Sequence, residues 1–243
     1  MPSSGKNVHI TLQGKGGVGK SFAASLLLQY HQEHDQLVVG IDTDPVNATL
    51  SGYQAFVTRR IELMEGSHLN ERKFDEMMEA IFSEESHFVV DNGASSFIPL
   101  SNYLIENGAI DLIVGTGKQV VIHSVITGGQ ALLDTLGGFT QLAMQMPESA
   151  QIVVWLNEYF GAIEADGKRF EDMRAYITHQ DRITGLVRIA RQTSDTFGKD
   201  VELMLDRKLT FVEVAQGSHF GLMAKQRLAM VKRALFQQLA NVI

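Results

Sequence analysis

Residues 14–21 read GKGGVGKS, and this spacing of glycines, lysine and hydroxyl matches G-x-x-x-x-G-K-[ST]. Residues of these types suit one task, which is to hold a polyphosphate. Gly14, Gly16, Gly17 and Gly19 let the backbone take positive φ and come close to an anion that a Cβ would keep away. Lys20 supplies a point charge to the β and γ phosphates, and the Ser21 hydroxyl is placed to ligate Mg²⁺. Val18 completes the loop, and Phe22 enters the first helical turn after it. Gly14 to Phe22, with Lys15 among them, is therefore the expected nucleotide-contacting stretch.

Two further segments bring carboxylates. "IDTDPVNAT" carries Asp42 and Asp44 at the end of an apolar run, and "HFVVDN" ends on Asp91. Asp42 is expected in the water shell of a Mg²⁺ ion, which keeps few protein ligands and several waters. Asp44 is expected to orient water in line with a γ-phosphate. The competing view of Asp44 is an Asx-type turn before Pro45. Asp91 is expected beside Ser21 or a metal-bound water, and its competing role is a cap for the next helix. The metal set is thus Ser21, Asp42 and Asp91, and the catalytic residues read from type and spacing are Lys20 and Asp44. A rival reading uses the same glycines, since Gly14, Gly16 and Gly19 also fit the dinucleotide fingerprint G-x-G-x-x-G. Asp42 then stands about 20 residues on, where a ribose-binding acid belongs. That NAD-binding oxidoreductase reading leaves Lys20, Ser21 and Asp44 without a task.

These groups need a sheet edge to hold them. "VHITLQ" (8–13), "QLVVGID" (36–42), "SHFVVDN" (86–92), "QVVIHSVIT" (119–127), "AQIVVWLNEY" (150–159) and "RITGLVRIA" (182–190) read as buried strands, with "VTRRIEL" (57–63) a weaker case. Helical spacing follows residue 20 and recurs near 72–82, 97–107, 128–145 and 168–179, and again at the C-terminal end. The alternation predicts an α/β fold with a doubly wound, mainly parallel sheet and helices on both faces, over one domain spanning residues 1–243. With 44% hydrophobic and 20% charged residues, the chain should bury a core throughout its length. It has no cysteine, which excludes thiolate chemistry. "MPSSGKNVHI" shows no secretory leader and no apolar run is long enough to span a bilayer, so a cytoplasmic protein is expected. A net charge of −7 opposes contact with nucleic acid unless a local basic patch or an adaptor provides it, so direct DNA binding is left open. Lys225, Arg227, Lys232 and Arg233 form the one basic cluster, read first as the solvated sides of a docked helix. His123 and Trp155 are read as strand and core residues.

Taken together, these residues resemble the ParA/MinD-type P-loop ATPases with a deviant Walker A loop, whose mark is a lysine directly after the first glycine, here Lys15. The resemblance implies bound ATP and Mg²⁺ and an ATP-dependent homodimer. In such a dimer Lys15 crosses the interface to the partner's phosphates while Lys20 acts in cis. It also implies that Asp42 and Asp44 lie in switch I and Asp91 in switch II. Asn157 then reads the adenine edge, and the backbone near Ile189 and Ala190 frames the base. A narrower likeness, over nearly the whole chain, is to the ParA-like proteins encoded with plasmid conjugative-transfer genes. This implies a relaxosome or secretion component as protein partner. Two departures touch the switches: Asp44-Pro45-Val46-Asn47 is one residue shorter than the D-P-x-x-N of partition ATPases, and "DNGASS" lacks their proline. Hydrolysis and partner coupling are therefore less constrained than nucleotide binding. The alternative function is a nucleotide-binding interaction module with negligible turnover.

Overall fold

A computed structural model describes residues 5–243, and the segment Met1 to Ser4, part of the stretch in which no leader is expected, lies outside them. Seven strands, β1 (Asn7–Thr11), β2 (Val38–Asp42), β3 (Thr58–Arg60), β6 (His87–Asp91), β7 (Gln119–Thr127), β8 (Ala150–Asn157) and β11 (Ile183–Ile189), form one sheet. Their order is β11-β8-β7-β1-β6-β2-β3, and every pairing is parallel. β4 (Met64–Glu65) with β5 (His68–Leu69), and β9 (Glu164–Ala165) with β10 (Lys168–Arg169), make two small hairpins outside the sheet.

The apolar runs follow from burial on both faces, because alternate residues serve opposite layers. Val8, Ile10, Val90, Ile122 and Val154 face a core shared with α2 (Phe74–Ser83), α3 (Phe97–Glu106), α4 (Ala109–Gly115) and α5 (Leu132–Gln145). Val89, Val121, Val153 and Trp155 face α1 (Lys20–Glu33), α7 (Lys199–Asp206), α8 (Phe211–Gln216) and α9 (Leu222–Leu239). The short helix α6 (Arg174–His179) packs beside α5. Helices therefore cover both faces of a doubly wound sheet.

Chain direction reverses beside β1. From it the chain runs to β2, β3 and β6 on one side, then crosses to β7, β8 and β11 on the other. The loops leaving the carboxyl ends of β1, β6 and β7 diverge there and open a crevice, the usual ligand position in such sheets.

Two local expectations need correction. Residues 168–179 are not one helix: Lys168 and Arg169 pair with Ala165 and Glu164, and only Arg174–His179 is α-helical. The cause is Asp166-Gly167, both at positive φ (52° and 71°), a pair that closes a tight hairpin. The 128–145 helix begins at Leu132, after a 3₁₀ turn at Gly129–Ala131.

Candidate functional site

The crevice is built on the loop between β1 and α1. Gly17 (φ 73°) and Gly19 (φ 105°) take the left-handed backbone, whereas Gly14 and Gly16 do not. Gly14 has a different constraint, because a Cβ there would stand 2.9 Å from the Phe97 ring. The reversal at Gly19 starts α1 at Lys20 with no side-chain cap and no acidic residue in the first turn. The leading N–H groups of α1 therefore have no internal anion to satisfy them. They border a cavity of about 520 Å³ whose wall includes Gly16, Lys20, Ser21, Asp44, Asn47 and Ala94. Lys20 is buried, and its Nζ donates to the Lys15 carbonyl at 2.9 Å. Burial lowers the Lys20 pKa, against the upward pull of Asp91 and Asp44.

The parallel register aligns the acids, since Asp42 pairs with Asp91 across β2 and β6. Asp42 is fully buried, with Oδ1 accepting from the Asp44 N–H at 3.1 Å and Oδ2 from the Ser51 N–H at 2.9 Å. An acid so committed to its own loop is not turned outward to a ribose, which weakens the dinucleotide reading. Asp44 lies on the cavity wall, and its Oδ1 accepts from the Val46 and Asn47 N–H groups at 2.8 and 3.1 Å. The Asx-type turn set against catalysis is thus present, and the residue still borders the cavity. Asp91 accepts from the Thr11 hydroxyl at Oδ1, while among the described residues its buried Oδ2 has no hydrogen-bond partner. Burial and the nearby Asp42 charge raise its pKa to about 7, against the pull of the neighbouring Ser21 hydroxyl, the Lys20 charge and the Thr11 hydroxyl.

Lys15 points elsewhere. Its Nζ pairs with Asp134 Oδ2 on α5 at 2.8 Å, and both side chains are about half exposed. Past Phe22, which borders both spaces, a second and more apolar cavity of about 230 Å³ is walled by Asn157, Tyr159, Phe160, Ile189 and Ala190. Two of the four basic residues of the α9 cluster are paired with acids of other helices. Arg227 pairs with Asp200 at 2.5 Å, Lys232 pairs with Glu33, and Lys225 donates to the Ala215 carbonyl at 2.9 Å.

The chain is 48% identical over 232 residues to Protein TraL of Escherichia coli, covering 96% of each, and 47% identical over 234 residues to a second Protein TraL of that organism, covering 96% of this chain and 97% of the other. The chain belongs to the TraL family. No family model matches it. Among solved structures, this TraL-family fold superposes on a ParA family ATPase from Chlorobium tepidum TLS with a TM-score of 0.54, at 17% identity over 96% of this chain and 99% of the other. For the MinD cell division protein of Aquifex aeolicus the TM-score is also 0.54, at 14% identity over 95% and 97%. At such identities the likeness is one of fold: the ParA/MinD P-loop architecture.

The structure adds residues that motif reading of the TraL-family sequence passed over. Asn92, directly after Asp91, receives hydrogen bonds at Oδ1 from the Thr43 hydroxyl at 3.0 Å and the Ser96 hydroxyl at 2.8 Å, all three buried. This ties the Asp42–Asp44 loop to the Asp91 loop. Gly93 lets them touch, since a Cβ there would lie 2.7 Å from Asp44 Oδ1 and 3.1 Å from the Asp44 Cα. The sequence signal was the polar, glycine-bearing stretch "NGASS" after a buried strand. Asp134 carried no local signal, because its meaning lies in facing Lys15 across more than a hundred residues.

Proposed function

We propose that this TraL-family chain is an ATP-binding, Mg²⁺-dependent ATPase of slow intrinsic turnover that works as a nucleotide-dependent homodimer switch in plasmid conjugative transfer. The observation that carries the reading is the N-terminus of α1. It has no side-chain cap and no acid, it stands behind two left-handed glycines, and the buried Lys20 lies against it. Helix N–H groups and a desolvated ammonium together make a strong anion cradle, because a charge in a water-poor cleft acts at low effective dielectric.

The donor set also fits Mg²⁺. Ser21 lines the cavity, and the buried Asp91 keeps an oxygen with no hydrogen-bond partner among the described residues. Ser21 and Asp91 would hold the ion and its waters, while Asp42, with both oxygens taken by the Asp44 and Ser51 N–H groups, would support them by fixing the loop beside the site, and a bound Mg²⁺ supplies charge neutralisation to the phosphates. Asp44 orients water from the cavity wall. Lys20 acts in cis. Lys15, paired with Asp134 away from Lys20, suits action in trans on the phosphates of a second copy. The residues 1–243 act as one domain, since both core layers share the same sheet. The partner class, from the family resemblance, is a relaxosome or secretion component.

Light scattering with Mg·ATP tests the switch. The wild type should become a dimer, Asp44→Ala should accumulate it, and Lys15→Ala should weaken it. A monomer under every condition defeats the switch. Single-turnover hydrolysis by wild type and Asp44→Ala then decides whether the chain turns over. No hydrolysis, with or without conjugation proteins, leaves a nucleotide-binding interaction module, a reading favoured by the commitment of Asp44 Oδ1 to its own turn.

A further inference from the structure

At the edge of the sheet opposite the phosphate loop, the amino ends of β1 and β6 and the last turn of α1 wall a cavity of about 360 Å³. His87 starts β6 there and is 5% exposed. The Asn7 N–H donates to its Nδ1 at 3.0 Å, so the ring is neutral and carries its proton on Nε2. Nε2 has no hydrogen-bond partner among the described residues and is not sealed from solvent, so its N–H opens on the cavity that the ring lines. Lys6, half-buried, lines the same space, and among the described residues its ammonium has neither an ion pair nor a hydrogen bond. After burial and the neighbouring His31, the Lys6 charge is the remaining cause that keeps the His87 pKa down at about 4, which sets the two groups close together. Gln36 adds a third donor: its Oε1 is taken by His31 Nδ1 at 2.5 Å, and its Nε2 has no partner among the described residues.

In a protein of net charge −7, no side chain that lines this cavity is acidic. The carboxylate of Ile243, which also lines it, pairs with neither Lys6 nor an imidazole among the described residues. The negative end of the α1 dipole is answered locally. His34 Nδ1 donates to the Tyr30 carbonyl at 2.8 Å, and the His31 carbonyl accepts from the His34 and Gln36 N–H groups at 3.2 and 3.0 Å. One fixed cation and two neutral donors, with no carboxylate to meet them, suit an anion bearing several oxygens, since each donor needs an acceptor once it leaves water. We propose that this cavity is a second binding site, separate from the phosphate loop, for a small oxyanion of the sulfate, phosphate or dicarboxylate kind, held by the Lys6 ammonium, the His87 Nε2–H and the Gln36 amide. Asn7 gives His87 its part: by occupying Nδ1 it makes the ring a donor while neutral, so the site needs no protonated histidine. An anion bound there bridges the start of β1 and the end of α1, the far ends of the two elements that flank the phosphate loop.

The test is nitrogen NMR of the His87 ring in the full chain, titrated with sodium sulfate and separately with sodium malonate, with sodium chloride at matched ionic strength as the control. In the wild type the Nε2 signal should shift saturably for one or both anions, with half-saturation below about 10 mM, and not for chloride. Whichever of the two binds more tightly identifies the site as one for a tetrahedral oxyanion or for a carboxylate. Lys6→Gln should weaken binding by about tenfold or more, and Lys6→Arg, which keeps the charge, should stay within about threefold of the wild type. Sulfate also suits the phosphate loop, so Lys20→Ala is measured alongside and should leave the His87 response unchanged. The proposal is overturned by the lack of a saturable shift, by a response that chloride reproduces, by one that survives Lys6→Gln intact, or by one that vanishes in Lys20→Ala.

Discussion

Lys15 and Lys20 stand in one loop, and the structure sends them to different neighbours: Lys20 inward to the Lys15 carbonyl, Lys15 outward to Asp134. If Lys15 acts in trans, it must first leave Asp134. Both side chains of that pair are about half exposed, so it is worth about 0.2–1 kcal/mol, a light latch. Asp134→Asn should therefore lower the ATP concentration at half-dimerisation by up to about fivefold, read by light scattering. A requirement for more ATP would mean that Asp134 helps the dimer instead of restraining it. The placing of Lys20, Ser21 and the three acids at the ends of neighbouring strands was legible in the sequence, because their motifs are local. Asp134 and Asn92 were not legible, since each depends on a partner remote in sequence.

At the scale of elements, α1 and the central strands enclose a chain of imidazoles. Trp155 Nε1 has only a proton to give, and it donates to His123 Nδ1 at 2.9 Å. His123 must then carry its proton on Nε2 and donate to His9 Nδ1 at 2.9 Å. His9 in turn donates from Nε2 to His31 Nε2 at 2.9 Å, and His31 Nδ1 donates to Gln36 Oε1 at 2.5 Å. One indole thus sets the tautomer of three histidines across β8, β7, β1 and α1. His87 stacks on His31, with ring centroids 4.2 Å apart, and accepts from the Asn7 N–H. A second proton on any ring of the chain would set donor against donor. Burial, the largest cause in each case, and neighbouring imidazoles hold His9 well below its ordinary pKa, lower His31, and bring His87 to about 4 and His123 to about 3. Folded pKa values below the unfolded 6.5 mean that the unfolded chain gains protons first as pH falls. Stability should therefore be full above about pH 6.5 and decline toward pH 4, on the order of 2 kcal/mol for His123 by pH 5. Asp91, raised to about 7, works in the opposite sense, one group against four. Denaturant titrations at pH 7, 6 and 5 check this; a midpoint that holds constant or rises toward pH 5 would show that the imidazoles are not held neutral by the fold. In the sequence His123 reads as an ordinary strand residue, because polar residues in apolar runs give no sign of one another.

For the whole molecule, the two cavities, about 520 Å³ beside Lys20 and about 230 Å³ beside Tyr159, form one polar-to-apolar tract sharing Gly17, Gly19 and Phe22. A ligand with a charged tail and an aromatic head suits that order. Ligand at a hundredfold excess over Kd adds about 2.7 kcal/mol to folding, which for a chain of this size raises Tm by about 5–10 °C. Mg·ATP should give that shift in a thermal melt and NAD should give none; stabilisation by NAD alone would revive the dinucleotide reading. Among the described residues no helix is long and apolar enough to cross a membrane. In the α9 cluster Arg227 and Lys232 are paired with Asp200 and Glu33, which leaves the charges of Lys225 and Arg233 uncompensated by a carboxylate among the described ion pairs. The sequence by itself determined the parallel sheet, through runs apolar on both faces, and the phosphate loop, through glycines and a lysine whose spacing is short-range. It also held the hairpin at Asp166-Gly167, which helical periodicity hid. Only the tertiary structure decided which way Lys15 turns, that Asn92 joins the two acidic loops, and that the histidines form a directed chain. Local patterns report what a residue's neighbours in sequence constrain; hydrogen bonds between loops from different strands exist only once the sheet order has brought those strand ends together.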